Sequence, residues 1–159
     1  MRITIIAAGK IRDKWINEGI AEYSKRLKRF GKFEIIEIAD EKVPEKYSAK
    51  EITQAVNKEG MKMLARWPSD AWGIAMDIGG EVPGSKGLAN LLARRGVAGT
   101  HHVVFAIGGS NGLSGEVLSK CRKRISFGPN TFPHQLFRVM LLEQIYRASK
   151  IMAGETYHK

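Results

Sequence analysis

The sequence predicts an α/β fold: a single domain over residues 1–159, with a mostly parallel sheet flanked by helices. Two observations carry this. Short apolar runs of strand character alternate with segments of helical periodicity, in the order βαβαβαβα, then a last strand or loop and a helix. The chain has 159 residues, one domain's worth, without internal repeats, low-complexity tracts or linkers. At this length about 68–70% of the unfolded chain's surface can be buried, so a core forms without staples.

Residues 3–7, ITIIA, read as the first strand. Asp13 caps a helix whose Ile16, Ile20, Tyr23, Leu27 and Phe30 form one stripe at steps of four and three. FEIIEI, residues 33–38, is the second strand, and DEKVPEKY is a polar loop. Ser48 with Glu51 makes a capping box that opens a helix through Ile52, Val56, Met63 and Trp67; Pro68 ends it. WGIAMDI, residues 72–78, is the third strand, followed by the turn GGEVPGS. Ser85 caps a short helix over residues 88–95, stopped by Gly96. The fourth strand, residues 103–107, runs straight into Gly108-Gly109-Ser110-Asn111-Gly112, and Ser114 caps the next helix. ISFGPNTFP is a short strand or an irregular loop. Pro133 sits in the first turn of a long helix that runs to Ala153 and stops at Gly154.

The net charge is +10, from 26 Lys and Arg against 16 Asp and Glu. That excess points to a polyanion partner, most simply nucleic acid. The clusters Lys25-Arg26, Lys28-Arg29, Arg94-Arg95 and Lys120 with Arg122, Lys123 and Arg124 fall in the last turns of predicted helices. Cations there favour the helix dipole, but the effect is worth about 0.3–1 kcal/mol and saturates with a charge or two. It does not account for an excess of ten. Cys121 is the only cysteine, so no intrachain disulfide forms and a zinc site lacks its usual sulfurs. One free thiol suits a reducing compartment, and no apolar run approaches the roughly 18 residues of a membrane span. The N-terminal MRITIIAAGK reads as a strand rather than a signal peptide, because Lys10 and Arg12 follow a very short apolar run. These readings predict a cytoplasmic protein. The histidines, His101, His102, His134 and His158, show no metal-ligand spacing, and no metal is predicted. His101 and His102 read as solvated residues preceding a strand.

The glycine loop fits neither G-x-G-x-x-G nor Walker A. It is either a structural βα turn using glycine for positive φ or a wall of a ligand site. In parallel sheets ligands sit outside the carboxyl ends of strands. Three such ends carry small or turn-forming residues: Met76-Asp77-Ile78-Gly79-Gly80, Ile107-Gly108-Gly109 and Phe127-Gly128-Pro129-Asn130-Thr131-Phe132. Converging, they enclose a flat, mostly uncharged ligand through backbone contacts. The last helix is apolar nearly all round, with Leu136, Phe137, Met140, Leu141, Ile145, Ala148 and Met152 on one face and Val139, Leu142 and Ile151 besides. Such a helix is buried on two sides. A second subunit is expected on one of them, with Leu142 a candidate to face it. Glu143 and Arg147, four apart, make an ion pair that on a surface is worth about 0.3–0.5 kcal/mol. The tail GETYHK ends in a phenol, an imidazole and a cation, past the helix stop and with almost no core to support.

FAIGGSNGLS, NTFPHQLFRVMLLEQIYRA, the terminal GETYHK, and MRITIIAAGK with IAEYSKRL near the start resemble the RlmH (YbeA-type) family of SPOUT methyltransferases along the whole chain. The resemblance implies S-adenosylmethionine bound in a deep trefoil knot formed by the C-terminal part of the domain, an exception to the unknotted rule. It implies a homodimer that acts on the large subunit of the assembled ribosome and methylates N3 of pseudouridine 1915 in helix 69 of 23S rRNA. Met76, Gly108 and the run Phe127, Gly128, Pro129, Asn130, Thr131 and Phe132 match the family's cofactor contacts. Proline at 129 leaves one backbone donor fewer for the adenine edge. Tyr157 and His158 are the candidates for handling the N3 proton, with Glu143 and Arg147 as orienting groups. Arg147 also suits charge developing on the base carbonyls. Two other classes stand beside this reading. A non-catalytic ribosome-binding factor would keep the basic surface without the cofactor loops. A nucleotide-dependent oxidoreductase would need the G-x-G-x-x-G that is missing.

Overall fold

A computed structural model describes residues 1–157. The elements run β1 (Arg2–Ala8), α1 (Lys14–Leu27) with a 3-10 turn (Lys28–Phe30), β2 (Lys32–Ile38), α2 (Ala49–Ala65), β3 (Trp72–Glu81), α3 (Gly84–Val97), β4 (His102–Ile107), α4 (Gly115–Lys120), β5 (Lys123–Ile125) and α5 (His134–Met152). The five strands form one sheet in the order β2-β1-β4-β3-β5, every pair parallel. All strands therefore point their C-terminal ends the same way, and each crossover is a helix.

Alternation along the central strands divides the core into two layers. Ile5, Ala7, Ile74, Met76, Val103, Phe105 and Ile107 pack on Leu27 of α1, Leu88 and Leu92 of α3, and Leu141, Leu142 and Ile145 of α5. Ile6, Ala8, Val104 and Ala106 face the other way, toward Met63 of α2 and Val117 of α4. Burying a side chain such as Phe105 contributes about 1.5–3 kcal/mol. α5 lies between α1 and α3. Its broad apolar surface is thus largely covered within the chain, and Leu142 is 0% exposed. The expectation that Leu142 faces a second subunit is corrected: two flanking helices, not one, already surround it.

Local signals hold at several element ends. The Ser48 capping box forms: the Glu51 amide donates to Ser48 Oγ at 3.3 Å, and the Ser48 amide donates to Glu51 Oε2 at 2.8 Å. Ser114 Oγ accepts from the Val117 amide at 3.3 Å. Gly154, with φ +66, follows α5. Elsewhere the structure differs. Asp13 stands at the N-cap of α1 without a side-chain bond. Ser85 is not a cap; α3 begins at Gly84, and the Ser85 hydroxyl donates to Gln144 Oε1 at 2.7 Å. β3 continues through Gly79 and Gly80 to Glu81, which pairs with Ile125 of β5 after a break in register beyond Met76. Lys123 and Arg124 lie in that edge strand, not in a helix. His102 is 3% exposed inside β4, with its Nε2 hydrogen-bonded to Thr4 Oγ1 at 2.9 Å. The solvated reading of His102 is therefore wrong: the neighbouring strand supplies a hydroxyl that lets a polar ring sit in the sheet.

Candidate active site

The C-terminal ends of β3, β4 and β5 open on a cleft of about 940 Å³. β3 contributes Met76, Asp77 and Ile78; β4 contributes Ile107 and the loop from Gly108 to Leu113. The chain after β5 supplies Ser126, Phe127, Gly128, Asn130, Thr131, Phe132 and Pro133, and the first turn of α5 adds His134 and Phe137. The glycine loop closes on itself, with the Gly112 amide donating to the Gly109 carbonyl at 3.1 Å. A Cβ on Gly108 would stand 2.2 Å from the Gly112 carbonyl oxygen, so only glycine permits this turn. Opposite it, Ser126 braces the second loop. Its Oγ accepts from the Gly128 amide at 3.1 Å and donates to the Gly128 carbonyl at 3.0 Å, around a φ of +106. Phe137 stacks against Phe127 at 4.9 Å and Phe132 at 6.2 Å between ring centroids, giving the cleft an aromatic wall.

Of the residues expected to hold a cofactor, Met76, Gly108, Phe127, Gly128, Asn130, Thr131 and Phe132 all line this cleft. Pro129 does not; it is exposed on the outside of the loop. Phe137 reads from sequence as a core residue of the last helix, yet it forms the wall. α5, which brings His134 and Phe137 to the cleft, is anchored by a residue that sequence reasoning missed. Arg138 is 0% exposed and donates to the Ala8 carbonyl at 2.5 Å, the Gly9 carbonyl at 2.6 Å and Glu37 Oε1 at 2.8 Å. It ties α5 to the ends of β1 and β2. Beside it, burial and the Arg138 charge hold the His134 imidazole below its usual pKa.

A second group of predicted residues comes together on α5 and the tail. Glu143 Oε1 accepts from Arg147 Nε at 3.0 Å and Nη2 at 2.5 Å, and from the Tyr157 hydroxyl at 3.3 Å. Gln144 donates to Glu143 Oε2 at 2.7 Å. The Arg147 guanidinium lies 4.7 Å from the centre of the Tyr157 ring, and Tyr146 meets that ring edge-on at 5.0 Å. The tail is thus docked at Tyr157, against the expectation that it has almost no core to support. Burial, then its contacts with Tyr23 and Glu143, push the Tyr157 phenol up to about 12. It is a neutral hydrogen-bond donor at physiological pH, not a base. His158, the other candidate for the proton, and Lys159 lie outside the described residues. The hollow of about 480 Å³ beside Glu143 shares Ser126 and Phe127 with the main cleft, so the two sites adjoin.

Residues 1–158 match the family described as predicted SPOUT methyltransferase. The chain belongs to the SPOUT methyltransferase family. Similar solved structures include Lpg2936 from Legionella pneumophila, assigned as a methyltransferase and solved with bound SAM, at TM-score 0.50 and 15% identity over 94% of this chain and 66% of that one. The SpoU methyltransferase AviRb from Streptomyces viridochromogenes, solved with AdoMet, matches at TM-score 0.47 and 12% identity over 97% of this chain and 61% of that one. The chain therefore spans less than two thirds of either length, and the likeness to Lpg2936, at 15% identity, is one of fold.

The SPOUT family uses S-adenosylmethionine, and the residues of the cleft suit it. Aromatic and aliphatic walls meet exposed backbone at Gly108 and along residues 126–133. The volume falls within the roughly 300–1,000 Å³ typical of small-molecule sites. Among the described residues no Lys or Arg lines the cleft. A cavity for a phosphate-bearing nucleotide would want such a charge; a ligand with an adenine and a sulfonium does not. Among the described residues no group of three His, Cys, Asp or Glu is arranged to hold a metal ion, and no helix is long and apolar enough to cross a membrane.

Proposed function

We propose that this SPOUT protein is an S-adenosylmethionine-dependent RNA methyltransferase. Its target is N3 of pseudouridine 1915 in helix 69 of 23S rRNA, on the assembled ribosome in the cytoplasm. The observation that carries the reading is the cleft at the ends of β3, β4 and β5. Its lining includes every residue that the family resemblance picks out for the cofactor except Pro129. The net charge of +10 supports a polyanionic substrate. A non-catalytic ribosome-binding factor would share that charge but has no use for a cleft walled by two braced loops. The C-terminal threading into a trefoil knot belongs to the same proposal. So does a homodimer, for which the hollow edged by Tyr23, Val82, Val139 and Met140 offers an apolar surface.

When bound, the cofactor supplies a methyl group already activated by its sulfonium. What remains for the chain is to place a nucleophilic nitrogen in line with it and to accommodate the N3 proton. The braced loops, residues 108–113 and 126–133, hold the donor and exclude water around it. Arg147 is fixed by Glu143 and the Tyr157 ring, and its guanidinium stabilises charge growing on the uracil carbonyls as the proton leaves. Tyr157 donates a hydrogen bond without titrating. The imidazole of His158 takes the N3 proton. The test is to incubate undermethylated ribosomes with protein and cofactor and map 23S rRNA by mass spectrometry. One added methyl at pseudouridine 1915 is expected. Methylation elsewhere, with cofactor binding confirmed by calorimetry, would replace the target and keep the chemistry.

A further inference from the structure

We infer that a groove at the opposite end of the sheet holds the phosphate backbone of RNA, as an anchoring site separate from the methyl-transfer cleft. Trp72 and Leu91 form its apolar floor, and Arg94, Arg95, Arg122 and Lys123 surround it, enclosing about 440 Å³. Four cations from α3, β5 and the chain leading into β5 converge on one concavity, and among the described residues no acidic one lines it. The clustered arginines elsewhere are spoken for internally: Arg26 pairs with Glu22, Arg29 with Glu155, and Arg124 with Asp77. In the groove only Lys123 has such a partner, Glu81 at 2.5 Å. Among the described residues Arg94, Arg95 and Arg122 have no carboxylate partner within 4.0 Å. Arg95 is pre-set by its stack on Trp72, 5.2 Å from the ring centre, and its buried Nε has no hydrogen-bond partner.

Those features favour a phosphodiester chain. Guanidinium forks match phosphate oxygens in pairs, and like charges crowded into one groove are stabilised by an anion that spans them. The partner class rests on the RNA reading above. The position adds a geometric constraint. Trp72 opens β3 and Met76 reaches the cleft, so groove and cleft are roughly 13 Å apart along that strand. An RNA held in the groove passes along the β5 edge of the sheet before its target enters the cleft.

The test uses the full chain and the double variant Arg94→Ala/Arg122→Ala, both side chains being exposed so that folding survives. Affinity for a fluorescein-labelled RNA hairpin and for the large ribosomal subunit is measured between about 50 and 200 mM potassium chloride. The variant is expected to bind each about tenfold more weakly near 100 mM salt, with a salt slope shallower by one to two. Its melting temperature and cofactor affinity should match the wild type, and methyl transfer should recover at saturating ribosome. Unchanged affinity and slope in the variant, while the wild type methylates, would overturn the groove and leave the enzyme reading standing. If the wild type methylates no RNA but the variant still loses RNA affinity, the groove stands and the enzyme reading fails. Polyglutamate binding as tightly as the hairpin would also sink the proposal, since the groove would then fit an acidic polypeptide.

Discussion

Gly108 shows how one missing side chain shapes the cleft. Its neighbour across the turn is backbone, which cannot yield as a flexible side chain would. Gly108→Ala should therefore open the turn, weakening S-adenosylmethionine binding at least tenfold by calorimetry while melting falls by only a few degrees. A lowered melting temperature with unchanged affinity would take the loop out of the cofactor site. Glu59 is a different case, a carboxyl 8% exposed on α2 that accepts from the Glu41 amide at 2.8 Å. Burial raises its pKa, so the folded state holds the proton more tightly than the unfolded chain. That contribution to stability is present below the ordinary carboxyl range and is lost as pH rises through the raised value. Glu59→Gln keeps an oxygen for the Glu41 amide, so it should raise the melting temperature at neutral pH and give no advantage below about pH 4. An equal change at both pH values would mean that charge burial is not the cause. Single residues were legible in the sequence where their partners are local. Ser48 finds Glu51 three positions on, and Ser114 finds Val117. His102 finds Thr4, 98 positions away, and no local pattern announces that bond.

At the scale of elements, the strand and helix order was readable because strands buried on both faces are apolar throughout. The width of the apolar face on α5 was also readable, but not what covers it. α1 and α3 occupy both sides, so a feature that suggested a partner subunit reports a three-helix layer instead. Arg138 escaped for the opposite reason. An arginine reads as solvated unless a partner is in sight, and the groups that bury it, the Ala8 and Gly9 carbonyls and Glu37, come from the other end of the chain. Removing one side of a buried charged network leaves the other side unsatisfied. Arg138→Met should cost about 3–5 kcal/mol in urea unfolding, and adding Glu37→Gln should recover part of it. A loss below about 1 kcal/mol would show that the strand ends find other donors, and that α5 is held by its apolar contacts alone.

For the whole molecule, the question is how a domain with one cleft brings its proton-handling groups to the methyl. The Glu143 group is built from α5 and from the tail that follows it, beside a hollow that shares only Ser126 and Phe127 with the cleft. The sequence reads the tail as a carrier of catalytic candidates with almost no core to support; the docking of Tyr157 on Tyr146 and Arg147 shows that its last described residue is packed. Two truncations separate these roles. Deleting residues 158–159 removes the imidazole and the terminal cation and leaves Tyr157 in place. It should preserve the melting temperature and cofactor affinity and lose most methyl transfer at saturating ribosome, a loss in the transition state rather than in binding. Deleting residues 157–159 also strips the aromatic contact and one hydrogen bond to Glu143, so it should lower stability by about 1 kcal/mol besides. Tyr157→Phe should keep the ring packing and the imidazole and remove only the donor, with activity between that of the wild type and that of the 158–159 deletion. If the 158–159 deletion transfers methyl groups at the normal rate, the imidazole takes no proton. The chemistry then rests on positioning and on the charge of Arg147, and Arg147→Gln becomes the variant that abolishes it.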